Sequence, residues 1–189
     1  MNKPPAGILL AAGQSTRFGS NKLLHPVTDN RPMLLLSAEK LASVLPGSMV
    51  VINEQLIPYT VQLEQMGLRV VVNAQAVQGM GSSIARGVDA SQDASGWLIM
   101  LADMPYLKTE TIMLLADRLE HGANIIAPVY NKQRGHPVGF DHRYKDELLA
   151  LNKGTGARQL IKKHQSRLQL VPVNDAGTIM DVDHTSDVL

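Results

Sequence analysis

The fold of this chain is decided by Gly7-Ile-Leu-Leu-Ala-Ala-Gly-Gln-Ser-Thr-Arg-Phe-Gly-Ser-Asn-Lys22. An apolar run over residues 8–12 stops at Gly13. A polar loop follows, holding Ser15, Thr16, Arg17 and Gly19, and Lys22 closes it. A short apolar run cut off by glycine predicts a buried strand that discharges into a loop. Small residues let a ligand approach the backbone, free N–H groups bind anions, and the cations Arg17 and Lys22 neutralise phosphate oxygens. The loop is therefore a candidate polyphosphate cradle. It is not a Walker A loop: five residues separate Gly13 from Gly19, one too many, and Leu23 follows the lysine in place of a hydroxyl side chain. Nor does it carry the Gly-x-Gly-x-x-Gly dinucleotide fingerprint. Taken alone, the stretch also reads as an ordinary strand with a surface loop.

Outward from it, strand-like and helix-like segments alternate. Strands are predicted at 8–12, 48–52, 68–72, 97–102 and 124–128, and helices at 33–45, 56–66, 81–90 and 109–120. Continuous Val/Ile/Leu strands between helices imply an α/β fold: a doubly wound, mostly parallel sheet in three layers, with helices on both faces. Beyond residue 130 the rhythm changes. A loop leads to a strand at 136–140, helices at 145–151 and 156–163, and closing strands at 168–173 and 178–182. With no internal repeat, low-complexity tract or long linker, the chain reads as one domain, 1–189.

The totals narrow the function. The chain has 189 residues, enough for a substantial core, with 44% hydrophobic and 19% charged residues, a globular balance. A net charge of +1 and 4% aromatic residues give no reason to expect a nucleic-acid surface. The absence of cysteine excludes disulfides, thiolate zinc sites and cysteine nucleophiles, and leaves oxygen or histidine ligands for any metal. No apolar stretch approaches the ~20 residues that cross a bilayer. The start, Met1-Asn-Lys-Pro-Pro5, does not read as a signal peptide, so a cytoplasmic location is expected.

Ligands of open α/β sheets bind outside the carboxyl ends of the strands, and polar clusters fall at those ends. Gln78-Gly-Met-Gly-Ser-Ser-Ile-Ala-Arg-Gly87 offers paired glycines and two serines at a helix start. These suit a base edge or a phosphate, or simply a serine-capped helix. In Leu101-Ala-Asp103-Met-Pro105 an aspartate follows a buried strand, placed either to coordinate Mg²⁺ or to cap a turn. Asp181 and Asp183, in Ile179-Met-Asp-Val-Asp-His184, would share one face of a strand, converging on a site or facing solvent. Arg134-Gly-His136-Pro-Val138 holds a histidine between glycine and proline, as a substrate contact or a packed turn residue. The remaining histidines lack metal-ligand spacing.

In order along the chain, these clusters resemble the molybdenum cofactor nucleotidyltransferases, a pyrophosphorylase-like family. The matching parts are Leu10-Ala-Ala-Gly-Gln-Ser-Thr-Arg17-Phe-Gly with Lys22, Gly79-Met-Gly-Ser-Ser83-Ile-Ala-Arg-Gly87, Leu101-Ala-Asp-Met-Pro105, Arg134-Gly-His-Pro-Val138, Gly154-Thr-Gly-Ala-Arg158 and Asp181-Val-Asp183. Ala12, where the guanylyltransferase branch usually has glycine, makes the chain look most like the cytidylyltransferase branch. Three positions differ from the family pattern: a proline is missing after Asp183, Thr155 replaces an aspartate, and Asn30 stands where relatives usually have glycine.

The resemblance implies a Rossmann-like nucleotidyltransferase, with a nucleotide-binding part at about 1–128 and an acceptor-binding part at about 129–189. The implied reaction joins CTP to molybdenum-loaded molybdopterin, giving the cytosine dinucleotide cofactor and pyrophosphate. Leu10, Ala11, Ala12 and Gly13 would line the nucleotide, with Gly79 and Ser83 at the base. Arg17, Lys22 and Asp103 would be catalytic, holding the triphosphate. Mg²⁺ would be bound by Asp103, Asp183 and the nearby Asp181, while His136 and Arg158 would face the acceptor. A molybdoenzyme or its chaperone is the implied transient partner, with no nucleic acid and no membrane. Two rival readings remain at this stage: transfer from CTP or GTP to another phosphorylated acceptor, such as an alcohol or sugar, and a non-catalytic nucleotide- or pterin-binding module.

Overall fold

The computed structural model describes residues 4–13, 21–151, 156–183 and 187. Arg17, with Ser15, Thr16 and Gly19, lies outside the described residues, as do Gly154, Thr155, His184 and Thr185.

Each of the five apolar runs predicted up to residue 128 forms a strand. These are β1 (Ala6–Ala11), β2 (Met49–Ile52), β3 (Arg69–Val72), β4 (Gly96–Leu101) and β5 (Ile125–Tyr130). Three more strands follow: β6 (Gln133–Arg134), β7 (Val138–Asp141) and β8 (Leu168–Pro172). The helices are α1 (Met33–Val44), α2 (Thr60–Gln65), α3 (Met80–Asp89), α4 (Thr109–Glu120), α5 (Lys145–Leu149) and α6 (Ala157–Lys163). The sheet runs β3-β2-β1-β4-β7-β5-β6, with β8 against β5. The β1–β2, β1–β4, β2–β3 and β5–β8 pairs are parallel, and β7 runs antiparallel between β4 and β5.

Alternation along the strands builds the three layers. Leu9, Val50, Ile52, Leu98 and Met100 join Leu34 and Leu41 of α1 and Leu115 and Leu119 of α4 in one core. Their neighbours Ile8, Met49, Val51, Trp97 and Ile99 join Ile84 of α3, Leu148 of α5 and Leu160 of α6 in the other. Side chains of period two therefore feed two separate cores. Gly87 lets α3 lie close on β1: a Cβ there would meet Ile8 Cγ2 at 2.5 Å.

Three expectations are corrected. The predicted helix 56–66 starts as a 3-10 turn, Glu54–Tyr59, before becoming α-helical at Thr60. Pro58 gives no N–H, and its ring obstructs an α-helical carbonyl four residues back, so the first turns tighten. The strand expected at 136–140 begins at Val138, because Pro137 has no N–H for a ladder. The strand expected at 178–182 is replaced by a 3-10 turn, Ala176–Thr178, followed by chain outside any strand. Asp175 takes Gly177 N–H at 3.0 Å, while Thr178 Oγ1 donates to the Asp175 carbonyl at 2.7 Å. This local bonding satisfies the backbone that a ladder would otherwise use.

The order of the strands places the site. From β1 the chain moves outward through β2 and β3, then returns to the other side of β1 as β4. The carboxyl ends of β1 and β4 flank the point where the winding reverses, which is where open α/β sheets bind ligands.

Candidate active site

β1 and β4 end side by side, and the Ala102 N–H extends their pairing by donating to the Leu10 carbonyl at 3.1 Å. Asp103 thereby stands next to Ala12 and Gly13. The loop it opens is held from both sides. From α1, Ser37 Oγ donates to the Ala102 carbonyl at 3.0 Å, and Lys40 Nζ donates to the carbonyls of Pro105 and Leu107. Burial pushes the Lys40 pKa below the ordinary lysine value, and Asp175, Glu110 and Glu39 oppose that shift. From the other side, Asp175 accepts from Lys108 N–H at 3.0 Å and from Thr111 Oγ1 at 2.6 Å, while Val182 N–H donates to the Asp103 carbonyl at 2.9 Å. That last bond brings Asp183 to Asp103.

Lys22 sits between the two carboxylates. Its Nζ lies 2.8 Å from Asp103 Oδ2 and 2.7 Å from Asp183 Oδ1. Burial alone would lower the Lys22 pKa, but hydrogen bonds to Asp103 and Asp183 raise it above the ordinary lysine value. The ammonium is thus a fixed positive charge at neutral pH. Asn21 caps this turn by accepting from Leu23 N–H at 3.2 Å.

A cleft of about 330 Å³ opens beside this group, lined by Leu10, Ala12, Gly13, Gly79, Ser83 and Asp103, among others. Apolar walls with a few polar groups are the usual character of a small-molecule site. Asp103 belongs to both features, joining the charged group to the cleft. Ala11 points elsewhere: its side chain packs with Leu9 in the α1/α4 core, so only its backbone could face a ligand.

His136 is held on the neighbouring element, its N–H donating to the Thr178 carbonyl at 2.8 Å. Its Nδ1 is buried with no hydrogen-bond partner. Burial, with help from Arg134, lowers its pKa below 6.5, against the pull of Asp103 and Asp181. Asp181 is exposed and outside any strand, so the same-face argument for Asp181 and Asp183 does not apply. Arg158 is exposed in the first turn of α6, and no described contact ties it to the Lys22 group.

The lowered His136 pKa predicts a pH effect on stability. An unfolded histidine takes up its proton near pH 6.5, whereas the folded His136 resists to a lower pH. Between those values the unfolded state binds more protons, so stability falls as pH drops through 6.5 and levels off below the folded value. His121, exposed and raised, contributes the opposite slope in wild type and variant alike. On going from pH 7.5 to 5.5 the urea midpoint should therefore fall further in wild type than in His136→Gln, where His121 alone of the two would raise it. An equal change in both would show that His136 does not resist protonation.

A family model described as the MobA-like NTP transferase domain matches residues 7–168, and the chain belongs to this nucleotidyltransferase family. The bifunctional protein GlmU of Zymomonas mobilis is 34% identical over 64% of this chain, which spans only 28% of that protein's length. Nicotine blue oxidoreductase of Paenarthrobacter nicotinovorans is 29% identical over 94% of this chain and 91% of its own. The "Probable molybdenum cofactor guanylyltransferase" of Thermococcus sibiricus is 22% identical over 78% of this chain and 72% of its own. Among solved structures, Rv0371c of Mycobacterium tuberculosis superposes with a TM-score of 0.80 at 22% identity, covering 98% of this chain and 96% of that one. Its complex with manganese superposes with a TM-score of 0.76. At this identity the likeness shows the shared fold.

Divalent metal use, common to such transferases, fits the residues present. Asp103 Oδ1 is buried without a hydrogen-bond partner, beside the carboxylate of Asp183. Hard oxygen donors of this kind suit Mg²⁺, which takes one or two carboxylates and fills its shell with water and substrate phosphates. No cluster of three or more His, Cys, Asp or Glu side chains able to hold a metal occurs among the described residues.

The sequence reading missed Lys40, Asn73 and Asp175. Lys40 and Asp175 bond mostly to backbone or to side chains outside the motifs, and nothing in their local spacing marks them. Asn73 alone carried a cue: a buried amide directly after an apolar strand needs partners.

Proposed function

We propose that this chain transfers CMP from CTP to molybdenum-loaded molybdopterin, giving the cytosine dinucleotide form of the cofactor and pyrophosphate. The observation that carries the reading is Asp103, which both lines the cleft and forms, with Lys22 and Asp183, the charged group at its end. A base in the cleft would place its phosphates toward that group. Ala12, which favours cytosine in the resemblance, and Ser83, which the resemblance puts at the base, both line the same cleft.

In the proposed reaction an oxygen of the acceptor's terminal phosphate attacks the α-phosphorus of CTP, the bond to the bridging oxygen breaks, and pyrophosphate leaves with the electron pair. Such a transfer needs in-line positioning and charge neutralisation more than a protein nucleophile. Lys22, kept protonated by its carboxylates, turns to the triphosphate and stabilises charge on the leaving group, with Arg17 as its companion. Asp103 and Asp183 would hold Mg²⁺, with Asp181 close by; when bound, the ion supplies Lewis-acid stabilisation of the phosphates. Neutral His136 and Arg158 serve the acceptor side, within the part of the chain at about 129–189. No described helix is long and apolar enough to cross a membrane.

A second reading, GTP as donor, draws on the similarity to the Thermococcus guanylyltransferase. Pyrophosphate release with molybdenum-loaded molybdopterin, Mg²⁺ and either CTP or GTP separates the two. Turnover with CTP is expected; turnover with GTP alone would overturn the cytosine assignment.

A further inference from the structure

Asn73 follows β3 and is 2% exposed. Its Oδ1 accepts the backbone N–H of Gln75 at 3.0 Å. A backbone N–H can only donate, so the amide oxygen must face it and the amide nitrogen must face the other way. That nitrogen donates to both Ser82 Oγ and Ser83 Oγ, each at 3.0 Å. Ser82 sends its own proton back to the Gly79 carbonyl at 2.8 Å, with the Gln75 carbonyl at 3.2 Å. Ser83 differs. Among the described residues Ser83 Oγ has one hydrogen-bond partner, the Asn73 amide, and there the oxygen accepts. Its proton remains to be used, and Ser83 lines the cleft.

We infer that Asn73 is a specificity-setting positioning residue: by occupying a Ser83 lone pair, it makes the Ser83 hydroxyl a donor toward the base end of the cleft. The ligand class it selects is a nucleotide whose base leads with an acceptor. A pyrimidine does so through its 2-carbonyl, and cytosine adds N3. Where cytosine has N3 and its 2-carbonyl, guanine has N1–H and its exocyclic amine, two donors that would face a hydroxyl already set to donate. The identity of the base rests on the proposed function above, whereas the polarity of Ser83 does not.

Asn73→Asp reverses the polarity at nearly constant shape. A carboxylate accepts only, so both serine hydroxyls would turn their protons to it and Ser83 would present lone pairs to the cleft. The experiment measures KM and kcat for CTP and GTP, and thermal melting, in wild type, Asn73→Asp, Ser83→Ala and the double variant. KM for the preferred nucleotide should rise by about tenfold in Asn73→Asp with little change in kcat, the scale of one misdirected hydrogen bond. The double variant should be no worse than Ser83→Ala, since Asn73 acts through Ser83. A wild-type KM in Asn73→Asp, or effects that add in the double variant, would overturn the inference. Should Asn73→Asp fail to fold, Asn73→Ala in the same cycle decides by the same non-additivity. A preference for GTP in wild type would defeat the cytosine reading, while the response of the GTP KM to Asn73→Asp would still decide the role of Asn73.

Discussion

Asp103→Ala is expected to abolish nucleotidyl transfer while leaving the fold intact. Asp103 is the residue shared by the cleft and the charged group, so its loss removes several functions together. The orphaned Oδ1 that would bind the metal disappears. Lys22 keeps Asp183 but is no longer centred between two carboxylates. Losing one preorganised electrostatic contact typically costs on the order of 10²–10³ in rate, and here a metal ligand is lost as well. The fold should tolerate the change, because the bonds that fix this loop are made by its backbone: Val182 N–H to the Asp103 carbonyl, Ser37 to Ala102, and Lys40 to Pro105 and Leu107. Pyrophosphate release and a thermal melt on the same preparation would test both halves. A variant turning over near the wild-type rate would remove Asp103 from the catalytic group.

Gly177→Ala should destabilise the protein by about 3 kcal/mol and lower activity with it. A Cβ at Gly177 would overlap the backbone of Tyr106 and Leu107, and backbone cannot step aside as a flexible side chain can. Something must move, and the choices are the 176–178 turn or the loop that follows Asp103. Either shift disturbs Asp175, which ties Lys108, Thr111 and Gly177 together. Urea unfolding gives the stability change, and a midpoint equal to wild type would show that the turn has more room than its geometry allows. Loss of activity in variant that remains folded would further show that the contact positions Asp103.

The first half of the fold was legible because its signals are local. An apolar run ended by glycine or aspartate, as at residues 8–12 and 97–102, needs no partner to be recognised as a buried strand. The second half was less so. Nothing in the sequence around Val138 says that this strand inserts antiparallel between β4 and β5, since strand direction is set by how the long connections pack. The 178–182 error arose because apolar residues there suggested a strand, while Asp175 and Gly177 fix a turn just upstream. At the site, Lys22, Asp103 and Asp183 were each readable as chemistry-bearing residues, but their ion pairs span distances in sequence that no motif measures. Asn73 is the clearest gap: its importance lies wholly in which atoms it points at which serines.

The bond between Lys22 and Asp183 joins positions 161 residues apart in the chain. Closing so long a loop costs entropy before its contacts can repay it. The residues that line the cleft all lie at or before Asp103, whereas the charged group also needs Asp183, eighty positions further on. A chain without that last segment would keep every named residue of the cleft but lack the second carboxylate of the charged group.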